Sequence, residues 1–339
     1  MYGNKIALAY VTAKNLVTVT PDDAMRLTHI NIAFGLVNDD CTLNTCQLSN
    51  IGYISEFRKW NPSIKIVLSV GGWGAGGFSE MAMTEEGREI FAASCAEYAE
   101  EVGLDGIDID WEYPCNDSAE IGADPKDKEN FTYLLEALRR HLGKDKIVSI
   151  AAGAGDYFVR DTEMDKVAEI CDYVQLMTYD MRSGFCTEAG HHAALYPTKN
   201  DTQNANTDYT VKIFNEAGVP LEKIVIGAAF YARKWDGVPN VNTGLLQKAA
   251  TVGQYGLGYS GLVEDFIDKN GFTKYWDDCA KANYLFNGET LISYESPEAI
   301  KEKCLYLMEK GLLGIMYWEH GSDRTHTLLK TIADTLNGK

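Results

Sequence analysis

At 339 residues, of which 45% are hydrophobic, the chain is long enough to bury a full core and is expected to form one large domain carrying an insertion. A formal net charge of -18 and a pI near 4.7 argue against nucleic acid or an anionic membrane surface as partner, since like charge repels at long range. No run approaches the roughly 18 to 20 consecutive apolar residues of a membrane span. Met1 is followed almost at once by a strand-like run, so no signal peptide is expected in the sequence as given, which reads as cytoplasmic, or as extracellular if a signal has been removed. The eight cysteines (41, 46, 95, 115, 171, 186, 279 and 304) follow neither a zinc spacing nor a disulfide framework and lean towards a reducing compartment.

In chain order, short runs rich in β-branched residues fall at 5–11, 29–34, 65–70, 105–110, 147–152, 173–177, 224–229 and 313–318. Between most of them lie segments with apolar residues three and four apart, among them 87–102, 130–142 and 208–217. Strand and helix alternate, which predicts a parallel sheet. Eight such units predict closure into an α/β (β/α)8 TIM barrel. The spacing is uneven in one place: far more chain separates the seventh strand from the eighth than one helix and its loops need. Residues 235–295, rich in glycine and aromatics, are therefore expected to form a small α+β insertion on the barrel of 1–234 and 296–339. Helical pattern resumes at 297–310. In such barrels the active site lies at the carboxyl ends of the strands, so the insertion should wall one side of a cleft.

The most informative run, Asp105-Gly-Ile-Asp108-Ile-Asp110-Trp-Glu112-Tyr-Pro114, ends the fourth strand. Period two puts Asp108, Asp110 and Glu112 on one face and Ile107, Ile109 and Trp111 on the other. Crowded carboxylates raise at least one pKa, keeping the proton that a general acid needs. A solvated acidic loop or a cation site built from the same oxygens are the other readings. A loop would not alternate with Ile-Ile-Trp.

This run matches the Asp-x-x-Asp-x-Asp-x-Glu signature of family 18 glycoside hydrolases, the chitinase family. Ser69-Val-Gly71-Gly72 resembles the family's third-strand motif, Met177-Thr-Tyr179-Asp180 its sixth-strand motif and Trp318 its eighth-strand tryptophan, so the resemblance spans nearly the whole chain. It implies a retaining, substrate-assisted hydrolase of β-1,4-linked N-acetylglucosamine chains. Glu112 would protonate the glycosidic oxygen while the sugar's own acetamido carbonyl attacks the anomeric carbon, giving an oxazolinium intermediate. Asp110 would orient the acetamido N–H, Asp108 would share a proton with Asp110, Tyr179 would bond the acetamido oxygen, and Met177 and Asp180 would help hold the sugar. Chitin or a chitooligosaccharide is the implied partner, for a monomer with no cofactor and no metal.

Trp318 ends the last strand, where a flat ring can floor a sugar pocket. Tyr10 and Phe34 end the first two strands and line the same pocket in this reading, although each also suits barrel core. Trp73, Tyr113 and Trp235 are candidates for further subsites. Tyr231 and Arg233 resemble the seventh-strand segment that in many members reads Gly-x-Pro-x-Tyr-Gly-Arg, from which Ala229 and Ala232 depart.

Other motifs do not carry function. Gly72-Trp-Gly74-Ala-Gly-Gly77 matches a dinucleotide fingerprint, but it follows the wrong strand and Trp73 would crowd a pyrophosphate. Adjacent His191 and His192 would point oppositely in an extended chain, which suits a loop role near the cleft better than joint metal binding. No serine or cysteine sits on a G-x-S-x-G elbow. Two alternatives to a chitinase share the barrel: a non-catalytic chitin-binding lectin, which would typically lack the Glu112 position, and an endo-β-N-acetylglucosaminidase acting on N-glycans, usually without the insertion.

Overall fold

A computed structural model describes residues 3–339. Eight parallel strands, numbered 1 to 8 here, are Ile6–Thr12, His29–Val37, Lys65–Gly71, Gly106–Asp110, Ile147–Gly153, Tyr173–Met177, Ile224–Ala229 and Gly314–Trp318. Each pairs with its neighbours in sequence, and strand 1 pairs with both strand 2 and strand 8, closing the expected barrel. A two-residue strand, Leu43–Asn44, lies antiparallel on the end of strand 2.

Local signals place the helices close to where periodicity put them. Glu85–Glu101 begins where the Thr84 hydroxyl accepts from the Gly87 N–H, and Thr207–Glu216 where the Asn206 side chain accepts from the Tyr209 N–H. Pro297–Lys310 starts at a Ser296 cap followed by proline and stops at Gly311 in the left-handed region, a start and a stop that both follow from backbone chemistry. Ile107, Ile109 and Trp111 face outward into the layer between barrel and helices, where Trp111 stacks on Phe78 and meets Phe131 edge-on.

The barrel interior is more mixed. Leu8, Tyr10, Tyr173, Val225 and Met316 pack there beside buried Asn31, Ser69, Asp108, Ser149 and Gln175. Asn31 donates to Gln175 at 3.2 Å, and Gln175 donates to Asp108 at 2.7 Å. Most of these polar groups satisfy one another, Asn31 Oδ1 and the Tyr173 hydroxyl being exceptions among the described residues.

Between strands 7 and 8 the chain builds the expected α+β insertion. Its five-stranded antiparallel sheet runs, in spatial order, Gln254–Gly258, Tyr231–Trp235, Leu291–Tyr294, Ala282–Phe286 and Thr273–Asp277, with the helix Tyr259–Asp265. This lobe stands on the carboxyl side of the barrel. No helix among the described residues is long and apolar enough to cross a membrane.

Candidate active site

Strand 4 delivers its acids in sequence along the barrel axis. Asp108 is fully buried. Its Oδ2 accepts from the Tyr10 hydroxyl at 2.9 Å and the Ser69 hydroxyl at 2.7 Å, and its Oδ1 from the Ser149 hydroxyl and the Gln175 amide, both at 2.7 Å. Four donors, from strands 1, 3, 5 and 6, match the accepting capacity of an ionised carboxylate. Burial nevertheless pushes its pKa up against their pull.

Asp110, one step towards the mouth, is 4% exposed, and its Oδ1 has no hydrogen-bond partner among the described residues. No hydrogen bond joins it to Asp108. Burial first, then the charges of Glu112 and Asp108, raise its carboxyl well above the usual range. Glu112 follows at the cleft floor, half-buried. Loss of water pushes its pKa up to about 7, with the charge of Asp180 adding and the Tyr113 hydroxyl opposing. A carboxyl that still holds its proton near neutral pH can act as a general acid.

Asp180 has the opposite environment. Its Oδ1 accepts from Arg233 Nε at 2.6 Å, and His192 Nδ1 lies 3.4 Å away. Burial works against its ionisation, but these two partners outweigh it and hold the carboxyl well below the ordinary range. The loop carrying His191 and His192 thus lies by the cleft, while His191 turns away to pair with Asp277 at 3.3 Å.

Above the acids the strand ends contribute aromatics. Trp318 stacks on Phe34, with centroids 5.4 Å apart and planes 19° from parallel, and tilts against Tyr10 at 6.0 Å. Phe34 is aimed inward by a bulge, because the strand 2 to strand 3 register slips between Ala33 and Gly35. Gly71 and Gly72, both at positive φ, permit the close approach of neighbours here: a Cβ on Gly71 would lie 2.0 Å from the Asp110 carbonyl, and one on Gly72 2.9 Å from the Phe34 ring. Tyr179 meets Tyr231 edge-on at 6.1 Å.

These groups surround a cleft of about 830 Å³ at the carboxyl ends of the strands. Of the residues singled out from sequence, Tyr10, Phe34, Trp73, Asp110, Glu112, Tyr113, Met177, Tyr179, Asp180, Tyr231, Arg233 and Trp318 all line it. Asp108 lies beneath, reaching the cleft only through Tyr10. Trp235 is a correction. It shares a strand face with Tyr231 and Arg233, but the loop after strand 6 covers it: its indole N–H donates to the Cys186 carbonyl at 2.9 Å and the ring is fully buried. Trp235 is lobe core, not a subsite.

Sequence reasoning missed other lining residues. Tyr255, from the lobe, lies flat on Tyr231 at 4.6 Å and 16°. Phe185, 75% exposed, meets Trp73, 55% exposed, at 6.1 Å across the rim. Tyr157 packs edge-on against Tyr113 at 5.2 Å. A second cavity of about 390 Å³, lined by Asp156, Tyr157, Gln203 and Asn204, meets the cleft at Glu112. Only the exposure of Phe185 and Tyr255 marks them, and exposure is not written in a local pattern.

A different cluster, Asp23, His320 and His326, has the residue types of a metal site. Its oxygens are engaged otherwise. Asp23 Oδ2 accepts from the Thr20 N–H and hydroxyl to cap the helix Pro21–Arg26, and Oδ1 lies 3.0 Å from His326 Nδ1. The cluster ties the first helix to the last, Thr327–Leu336.

A closed parallel barrel whose carboxyl end gathers acidic side chains and stacked aromatics in one cleft has the architecture of a TIM-barrel enzyme. The chain belongs to the Glycosyl hydrolases family 18, whose pattern matches residues 7–323, and is a glycoside hydrolase. Among solved structures it is similar to a family 18 N-acetylglucosaminidase from Paenibacillus barengoltzii, at 48% identity and a TM-score of 0.96, covering 98% of this chain and 99% of that one. It is also similar to the multi-modular chitinase ChiW from Paenibacillus sp. str. FPU-7, at 38% identity and a TM-score of 0.91, covering 98% of this chain and 43% of that one. Chitinase A1 of Niallia circulans is 35% identical over 303 residues, 82% of this chain and 43% of that protein. This chain thus spans less than half the length of that relative.

Proposed function

We propose that this glycoside hydrolase cleaves β-1,4-linked N-acetylglucosamine chains of the chitin type with retention of configuration, the substrate's acetamido group serving as nucleophile. The observation that carries the reading is Asp110 Oδ1, a buried, unpartnered carboxylate oxygen in the wall of a cleft that also holds a proton-bearing glutamic acid. An acetamido N–H is the donor it lacks, and the positive charge that develops when the amide becomes a nucleophile draws Asp110 towards its ionised form, which stabilises that charge in turn. Tyr179 supplies a hydroxyl for the acetamido oxygen. Trp318 supplies a flat, apolar floor for the ring.

In the first step Glu112 gives its proton to the leaving glycosidic oxygen, the acetamido oxygen bonds to the anomeric carbon and the C–O bond breaks, leaving an oxazolinium ion. In the second, Glu112, now the base, takes a proton from water that opens the ring from the face of the departed group. Asp108, held by four donors, fixes strand 4 beneath Asp110 in this scheme. The names of the relatives, chitinase and N-acetylglucosaminidase, support the same sugar. In this reading the chain divides into a barrel of 1–234 and 296–339 and a lobe of 235–295, which carries its own apolar cluster around Trp235, Leu245, Tyr284 and Phe286 and whose sheet is joined to the barrel through Tyr231–Trp235.

The test is incubation of chitotetraose with the wild type and with Glu112→Gln, separating products by length and anomer. Wild type should yield short β-anomers, and Glu112→Gln should lose about 10² to 10⁴ in kcat. A fully deacetylated tetramer should resist the wild type. Equal cleavage of the deacetylated tetramer would rule out the acetamide as nucleophile, and binding without cleavage would leave a lectin.

A further inference from the structure

The open space around Glu112 is unevenly distributed. Glu112 borders both cavities, so the bond to be cut lies near their junction. On one side, loops after strands 3 to 6 line a trough with Trp73, Asn116, Tyr157 and Phe185. Its rim is Trp73 and Phe185, and the smaller cavity adjoins it. On the other side Trp318 and Tyr255 line the cleft, and strands 1, 2 and 8 each contribute one ring to it, Tyr10, Phe34 and Trp318.

Tyr255 lines that side. Its strand, Gln254–Gly258, pairs antiparallel with Tyr231–Trp235, and two glycines let it lie close against backbone: a Cβ on Gly256 would come 2.7 Å from the Ala232 carbonyl oxygen and one on Gly258 2.8 Å from that of Ser322. The ring rests on Tyr231, with the Arg233 guanidinium 5.2 Å from its centroid. The Tyr255 hydroxyl lies within reach of the Trp318 side chain, and the charge of nearby Glu319, tied down by the Gly321 N–H and the Ser322 hydroxyl, each at 3.1 Å, acts on it. The ring thus sits beside Trp318 at the edge of the floor, where a second sugar on the non-reducing side would have to pass.

We propose that Tyr255 ends the glycone side of the cleft after one sugar, so that the enzyme releases single N-acetylglucosamine units from non-reducing ends. This rests on the hydrolytic reading above, which fixes the orientation: the sugar over Trp318 keeps the acetamide that faces Asp110 and Tyr179, and its aglycone leaves past Glu112 towards Trp73. The trough and the adjoining smaller cavity then receive the rest of the chain.

The experiment uses chitopentaose carrying a fluorescent tag at its reducing end. In the first few per cent of conversion, wild type should give untagged monosaccharide and tagged tetramer. Tyr255→Ala should raise disaccharide relative to monosaccharide release about tenfold, whereas Tyr255→Phe, which keeps the ring, should retain the wild-type ratio. Initial release of disaccharide by wild type, or an unchanged ratio in Tyr255→Ala, would overturn the proposal while leaving the hydrolytic reading intact. If Tyr255→Ala does not fold, the wild-type pattern decides alone. No cleavage of any substrate by wild type would instead sink the hydrolytic reading, and this proposal with it.

Discussion

Glu112 and Asp180 lie at the mouth of one barrel, yet one is pushed up to about 7 and the other is held low. The difference is in their partners: Glu112 has lost water and faces negative charge, whereas Asp180 has Arg233. Activity should therefore fall as pH rises through about 7, where Glu112 loses the proton it must donate. The same shift has a stability consequence of definite sign. A carboxyl raised from its ordinary 4.5 stabilises the fold fully below that value, and the contribution is lost as pH rises through the folded value. Relative to Glu112→Gln, wild type should lose on the order of 2 kcal/mol between pH 4 and pH 8, allowing for screening by the solvent in the cleft. Denaturant melts of both proteins across that range measure it, and parallel stability curves would show that Glu112 titrates normally.

At the scale of elements, the segment running from strand 7 into the lobe matters most, because it carries Tyr231 and Arg233 and supports Tyr255. It is held from behind by a buried pair. The Glu295 carboxylate accepts from the Ala229 N–H at 2.6 Å, and Lys303 lies 2.9 Å from the same carboxylate while donating to the Gly227 carbonyl at 2.8 Å. Removing one partner leaves an uncompensated buried charge, so Lys303→Met should cost about 3 to 5 kcal/mol. Adding Glu295→Gln should restore part of that loss, and chemical denaturation of the two singles and the double gives the coupling. A double variant no more stable than Lys303→Met would show that the pair does not hold the strand.

Elements of this kind separate what the sequence reveals from what it hides. The acids of strand 4 were legible because alternation is a local rule, and the floor residues Tyr10, Phe34 and Trp318 because each lies at or near the carboxyl end of its strand. Tyr255 was not, since its place depends on antiparallel pairing with Tyr231–Trp235 across a long loop. Phe185 sits in an irregular loop whose course is set by packing. Trp235 misled for the complementary reason: period two gives its face correctly, but not the loop that covers that face.

For the whole molecule, the net charge of -18 bears on substrate choice as well as on partners. An N-acetylglucosamine chain is neutral, so the field of the protein neither attracts nor repels it. A deacetylated chain is a polycation in mildly acidic solution, drawn to this acidic protein and to the ionised Asp180 in its cleft but unable to supply the acetamide. Such a chain should bind without reacting, as a competitive inhibitor whose hold is electrostatic and therefore screened by salt. Between about 20 mM and about 500 mM salt, its inhibition constant should weaken several-fold, while KM for the acetylated oligomer should move less than about twofold. Steady-state kinetics at the two salt concentrations separate the terms. An inhibition constant insensitive to salt would place recognition of the deacetylated chain in ring stacking on Trp318 and its neighbours rather than in the charge of the cleft.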